Sequence, residues 1–80
     1  MAVLRMFAAA REAAGTGHAE FAASTVGEVL AKAVATYGEG FALVLPTCRI
    51  WVNGDAAGPE TAVDGSDEVA VLPPVSGGCQ

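Results

Sequence analysis

Thr25-Val26-Gly27-Glu28-Val29-Leu30-Ala31-Lys32-Ala33-Val34-Ala35-Thr36-Tyr37-Gly38 is the stretch on which the fold of this chain turns. Thr25 and Glu28 have the spacing of a capping box, in which each side chain satisfies the other's free backbone donor at a helix start. Val26, Val29, Leu30, Ala33, Val34 and Tyr37 recur at helical spacing and make one apolar stripe. Gly38 and Gly40 end the helix. Gly27 weakens the first turn by about 1 kcal/mol relative to alanine.

Strand patterns lie on both sides of this helix. Upstream, Ala2 to Phe7 alternates, with Leu4 and Met6 on one face and Val3, Arg5 and Phe7 on the other. Ala8 to Ala14 reads as a short helical turn closed by Gly15 and Gly17, and His18 to Ala22 as a second strand paired with the first. Downstream, Phe41 to Pro46 reads as a loop and Cys48 to Val52 as a third strand. Asn53-Gly54 is a strong hairpin signal and leads to a brief strand near Asp55 to Ala57. Asp64-Gly65 marks another turn before a last strand, Glu68 to Leu72.

The order β-β-α-β-β-β predicts an α+β fold of the ubiquitin-like β-grasp type, a small mixed sheet with one main helix on one face. Val29, Leu30 and Val34 are then expected to pack on Leu4, Ile50, Val69 and Val71, with Met6 and Val52 on the same side. The opposite face would carry Arg5, Phe7, Arg49, Trp51, Ala70 and Leu72. Phe7, Trp51 and Leu72, exposed together, would form a docking surface. A charge at Phe7 or Leu72 should then weaken docking and leave stability nearly unchanged.

Composition narrows the function classes. Eighty residues allow one core, and the 52% apolar content is diluted by alanine. No apolar run approaches the roughly 20 residues of a membrane span. The N-terminus does not read as a signal peptide, which implies a cytoplasmic protein with no membrane partner. The net charge is −5, and Arg5, Arg11, Lys32 and Arg49 form no cationic cluster, which argues against nucleic acid. The charge suits a partner with a basic surface, and equally suits solubility alone. Cys48, Cys79 and His18 are too dispersed for a metal motif. Cys48 is most simply a small apolar residue next to a strand.

The chain closes with Pro73-Pro74-Val75-Ser76-Gly77-Gly78-Cys79-Gln80, which divides it into a domain of residues 1–74 and a flexible tail of 75–80. Two prolines stiffen the exit from the last strand, and glycines can pass a channel too narrow for a Cβ atom. Such an end suits insertion into another protein's active site; a frayed terminus is the plainer reading.

Three segments carry a family resemblance. They are Arg5-Met6-Phe7-Ala8-Ala9-Ala10-Arg11-Glu12-Ala13-Ala14-Gly15, the Val52-Asn53-Gly54 turn, and the run from Asp64 through Pro73-Pro74-Val75-Ser76-Gly77-Gly78. Together they resemble the small subunit of molybdopterin synthase and, more broadly, the ubiquitin-like sulfur carriers, the thiazole-synthesis carrier among them. The resemblance implies that Gly78 is the working residue. Its carboxylate would be adenylated by a ubiquitin-activating-like adenylyltransferase using ATP and magnesium, then converted to a thiocarboxylate. That sulfur would pass to a small molecule in a second enzyme, such as a molybdopterin synthase large subunit. The carrier would be a co-substrate or non-catalytic subunit that holds no cofactor of its own. Phe7 and Leu72 would dock, while Pro73, Pro74, Val75, Ser76 and Gly77 would thread the partner's channel.

The family pattern stops at the second glycine, whereas Cys79-Gln80 follow Gly78 here. Gly78 therefore sits in a peptide bond, and the resemblance implies cleavage between Gly78 and Cys79 by a deubiquitinase-like zinc metalloprotease. Two alternatives stand beside the sulfur carrier. One is a ubiquitin-like modifier that joins Gly78 to lysines; the other is an interaction domain that is never activated.

Overall fold

Alternation in Ala2–Met6 (β1) and Glu68–Leu72 (β5) buries every second residue of both strands, so they pair side by side deep in the sheet. The computed structural model describes residues 1–73. β1 and β5 run parallel, with Leu4 opposite Val69 and Met6 opposite Val71. His18–Phe21 (β2) pairs antiparallel with the outer side of β1, and Arg49–Val52 (β3) antiparallel with β5. Asp55–Ala56 (β4) closes a hairpin on β3, giving the order β2-β1-β5-β3-β4. Asn53 and Gly54, at φ 51° and 89°, make the tight turn that this dipeptide favours. The mixed sheet with its main helix is the expected ubiquitin-like β-grasp; strand ends differ from the sequence reading by a residue or so.

The main helix, Val26–Tyr37 (α2), spans the residues that its periodicity indicates. Its first turn is satisfied differently from a simple capping box. Thr25 Oγ1 accepts from the Glu28 N–H at 3.2 Å, as expected. The Glu28 carboxylate, however, reaches past Thr25 to accept from the Ser24 N–H at 2.7 Å and the Ser24 hydroxyl at 2.6 Å. These bonds, the side-chain one first, hold the Glu28 carboxyl below its ordinary pKa. The remaining donors meet a loop from far along the chain: Val26 N–H donates to Thr61 O at 2.9 Å, and Gly27 N–H to Pro59 O at 2.8 Å. A Cβ at Gly27 would lie 3.1 Å from that Pro59 oxygen. This close approach explains a glycine that helix propensity alone counts against.

Two expectations about the core change. Residues 41–46 are not a loop: Glu39–Val44 (α3) is a helix, followed by a 3-10 turn at Leu45–Thr47. Gly38, at φ 91°, turns the chain sharply enough for a second helix to begin at once, and Gly40 lies inside it. α3 inserts Phe41, fully buried and the largest side chain of the core, with its ring 5.4 Å from that of Tyr37. On α2 the fully buried positions are Val26, Val29 and Ala33; Leu30 and Val34 are only half-buried at the flank of the stripe. They meet Leu4, Met6, Val69 and Val71, all buried on the inner face of the sheet, with Ile50 and Val52 packed beside them.

Candidate docking face and tail root

The same alternation that buries Leu4, Met6, Val69 and Val71 sends their neighbours to the other side of the sheet. Arg5 lies opposite Ala70, and Ala70 opposite Trp51, so these three form a row across the central strands. Arg49 lies opposite Leu72 in the next row. Phe7, at φ −129° and ψ 153°, is still extended and keeps to the outer side of Val3 and Arg5 before the chain turns into Ala8–Ala14 (α1). That turn passes through Ala8 at φ 53°, a left-handed conformation unusual for alanine. Phe7 N–H donates to Val71 O at 3.1 Å, tying the corner to the last strand.

Only Phe7 of the three large apolar residues is exposed, at 39%; Trp51 and Leu72 are half-buried. Side chains opposite one another on neighbouring strands stand close enough to cover each other's flanks, which a count of alternation misses. The face is therefore a partly filled apolar surface rather than three free side chains.

The last strand before the tail lies in the middle of the sheet. β5 is hydrogen-bonded on both sides, to β1 and β3, up to Leu72. Pro73 follows, exposed. At the other end of β5, Asn53 performs a task that its turn signal did not reveal. Its side chain donates to Asp67 Oδ1 at 2.8 Å and accepts from the Glu68 N–H at 2.9 Å, clamping the β3–β4 turn to the start of β5. Asp64 accepts from the Ser66 N–H and hydroxyl, each at 2.9 Å, which lowers its pKa. Pro74, Val75, Ser76, Gly77, Gly78 and Cys79, and the boundary between domain and tail, lie outside the described residues.

Among the described residues there is no pocket and no group of three or more His, Cys, Asp or Glu placed to hold a metal. Cys48 is a half-buried free thiol whose Sγ lies 3.5 Å from Val44 O. No helix among the described residues is long and apolar enough to cross a membrane. What this surface offers is a broad sheet face whose central strand, β5, runs out at Leu72 and Pro73.

Residues 4–78 match the ThiS family model. Among solved structures, the small archaeal modifier protein 1 of Methanosarcina acetivorans is 30% identical with a TM-score of 0.85, over 96% of this chain and 95% of that one. The Haloferax volcanii HVO 2177 protein is 35% identical with a TM-score of 0.75, over 96% and 85%. A putative molybdopterin converting factor subunit 1 from Pyrococcus furiosus shares the fold at 22% identity and a TM-score of 0.82, over 92% and 97%. Among curated proteins there is no match.

Proposed function

The chain belongs to the ThiS family, and on that premise we propose that it is a sulfur carrier whose working group is the carboxylate of Gly78. The observation that carries this reading is where the family match ends: it runs to Gly78, leaving Cys79-Gln80 outside. Removal of those two residues by a metalloprotease frees the carboxylate. An adenylyltransferase then joins it to AMP, with ATP and magnesium held in that enzyme and pyrophosphate released. Activation is needed because a free carboxylate is a poor electrophile, whereas AMP is a good leaving group. A sulfide equivalent displaces AMP and leaves a thiocarboxylate, a soft nucleophile that a second enzyme, such as a molybdopterin synthase large subunit, delivers to its acceptor. This chain supplies the docking face and the tail that carries Gly78. Its dependence on cellular ATP suits a cytoplasmic location.

A second reading has a specific observation behind it, the 30% identity to a protein named as an archaeal modifier. Adenylated Gly78 would then form amide bonds to lysines of other proteins.

Intact mass spectrometry tests both. Full-length protein is incubated with the trimming protease, the adenylyltransferase, ATP and sulfide. The sulfur-carrier reading expects loss of Cys-Gln, then a mass gain equal to one oxygen replaced by sulfur. Lysine conjugates without a thiocarboxylate would favour the modifier. A Gly78 deletion that functions like wild type would overturn both.

A further inference from the structure

The chain's negative charge is not spread evenly. Of the nine acidic residues, Glu20 and Glu68 stand on the outer sheet face, opposite Val3 in the pairing of β1 with its two neighbours. They are matched in number by Arg5 and Arg49, so this face is neutral by formal count. The whole −5 therefore sits off this face, on the helices, turns and loops and at Asp55 of β4, opposite Val52. The two cations differ. Arg5 is paired, its Nη1 lying 3.2 Å from Glu68 Oε2. Arg49 is exposed and makes no side-chain hydrogen bond or ion pair among the described residues. Register places it opposite Leu72, the residue from which the tail departs, on the side of the sheet that carries Phe7 and Trp51.

We propose that Arg49 is a specificity-determining residue of the docking face: it selects partners that present a carboxylate where the tail leaves β5. The inference rests on the sulfur-carrier reading and deepens it by naming the chemistry of the partner's surface. The apolar residues supply contact area and cannot tell one apolar partner from another. A guanidinium at the edge of that patch can, because burying it without a matching anion is costly, and its planar fork fits a carboxylate with two parallel bonds. Its place opposite Leu72 also sets register, since a partner that pairs with Arg49 holds the end of β5 in one position. The occupant fitted by this surface is thus an adenylyltransferase with an apolar platform and one acidic residue beside its tail entrance. A partner of uniformly basic surface does not fit it.

The test is calorimetric binding of the full chain, with and without Cys79-Gln80, to the adenylyltransferase of the same organism at low and high salt. Arg49→Ala is expected to weaken binding about tenfold or more, and Arg49→Glu further, with a flatter salt dependence than wild type. Arg49→Lys should recover part of the loss, because charge remains while the fork is lost. Lys32→Glu, on α2, makes the same change in net charge and is expected to bind like wild type. Melting curves of the Arg49 variants should overlay wild type, since the side chain is exposed. Arg49→Ala binding as wild type, or Arg49→Glu and Lys32→Glu weakening binding equally, overturns the role of Arg49 and leaves the sulfur-carrier reading intact. A wild-type chain that neither binds nor is adenylated, with or without Cys79-Gln80, overturns both.

Discussion

Truncating Phe7 to alanine should produce two separable losses of similar size. A phenylalanine side chain offers on the order of 200 Å² of surface. At 39% exposure, about 80 Å² is left for a partner, worth about 2 kcal/mol at about 25 cal/mol per Å². That corresponds to a dissociation constant about thirtyfold weaker. The other three-fifths of the residue is covered by the chain itself. Removing a fully buried phenylalanine costs about 3–5 kcal/mol, so Phe7→Ala should cost about 2 kcal/mol of stability. A sequence-based expectation of unchanged stability is therefore too simple. Urea unfolding followed by the fluorescence of Trp51, the single tryptophan, gives the stability term. Calorimetric titration with the adenylyltransferase, well below the melting temperature, gives the binding term. If stability falls as expected while binding changes less than about twofold, Phe7 is a packing residue of the β1–α1 corner and the docking face must be redrawn without it.

Phe41→Ala should cost about 3–5 kcal/mol in the same urea assay, and half-buried Leu30→Ala about 1–2 kcal/mol. The reverse order would show that α3 is peripheral and α2 rotated. Glu28, with its carboxyl pKa lowered by the Ser24 bonds, stabilises the fold fully above about pH 4.5, its ordinary value, and loses that contribution as pH falls through its lowered folded value. The stability difference between wild type and Glu28→Gln should therefore shrink on acidification below that point; a difference constant down to pH 2 would mean that the Ser24 bonds do not depend on the charge.

Much of this protein is determined locally and was legible as such. Alternation in Ala2–Met6 and Glu68–Leu72 fixes which side chains share a face, because successive residues of a strand must point to opposite sides. The apolar stripe of Val26–Tyr37 and the Asn53-Gly54 turn likewise follow from backbone geometry within a few residues. The Gly-Gly pair, with Gly78 ending the family match, is a property of sequence alone. Contacts between distant segments could not be read this way. Pro59 meets Gly27, Asn53 clamps Asp67 and Glu68, and Arg5 pairs with Glu68 across 63 positions, because β5 returns to lie beside β1. Phe41 follows Gly38 and Gly40 and precedes Pro46, a local pattern that indicates a loop; only its packing against Tyr37 shows that it completes the core. Burial depth and the company a charge keeps are set by what packs against a residue from elsewhere in the chain. For that reason the half-burial of Trp51 and Leu72, and the place of Arg49 at the tail root, were decided by the tertiary structure alone.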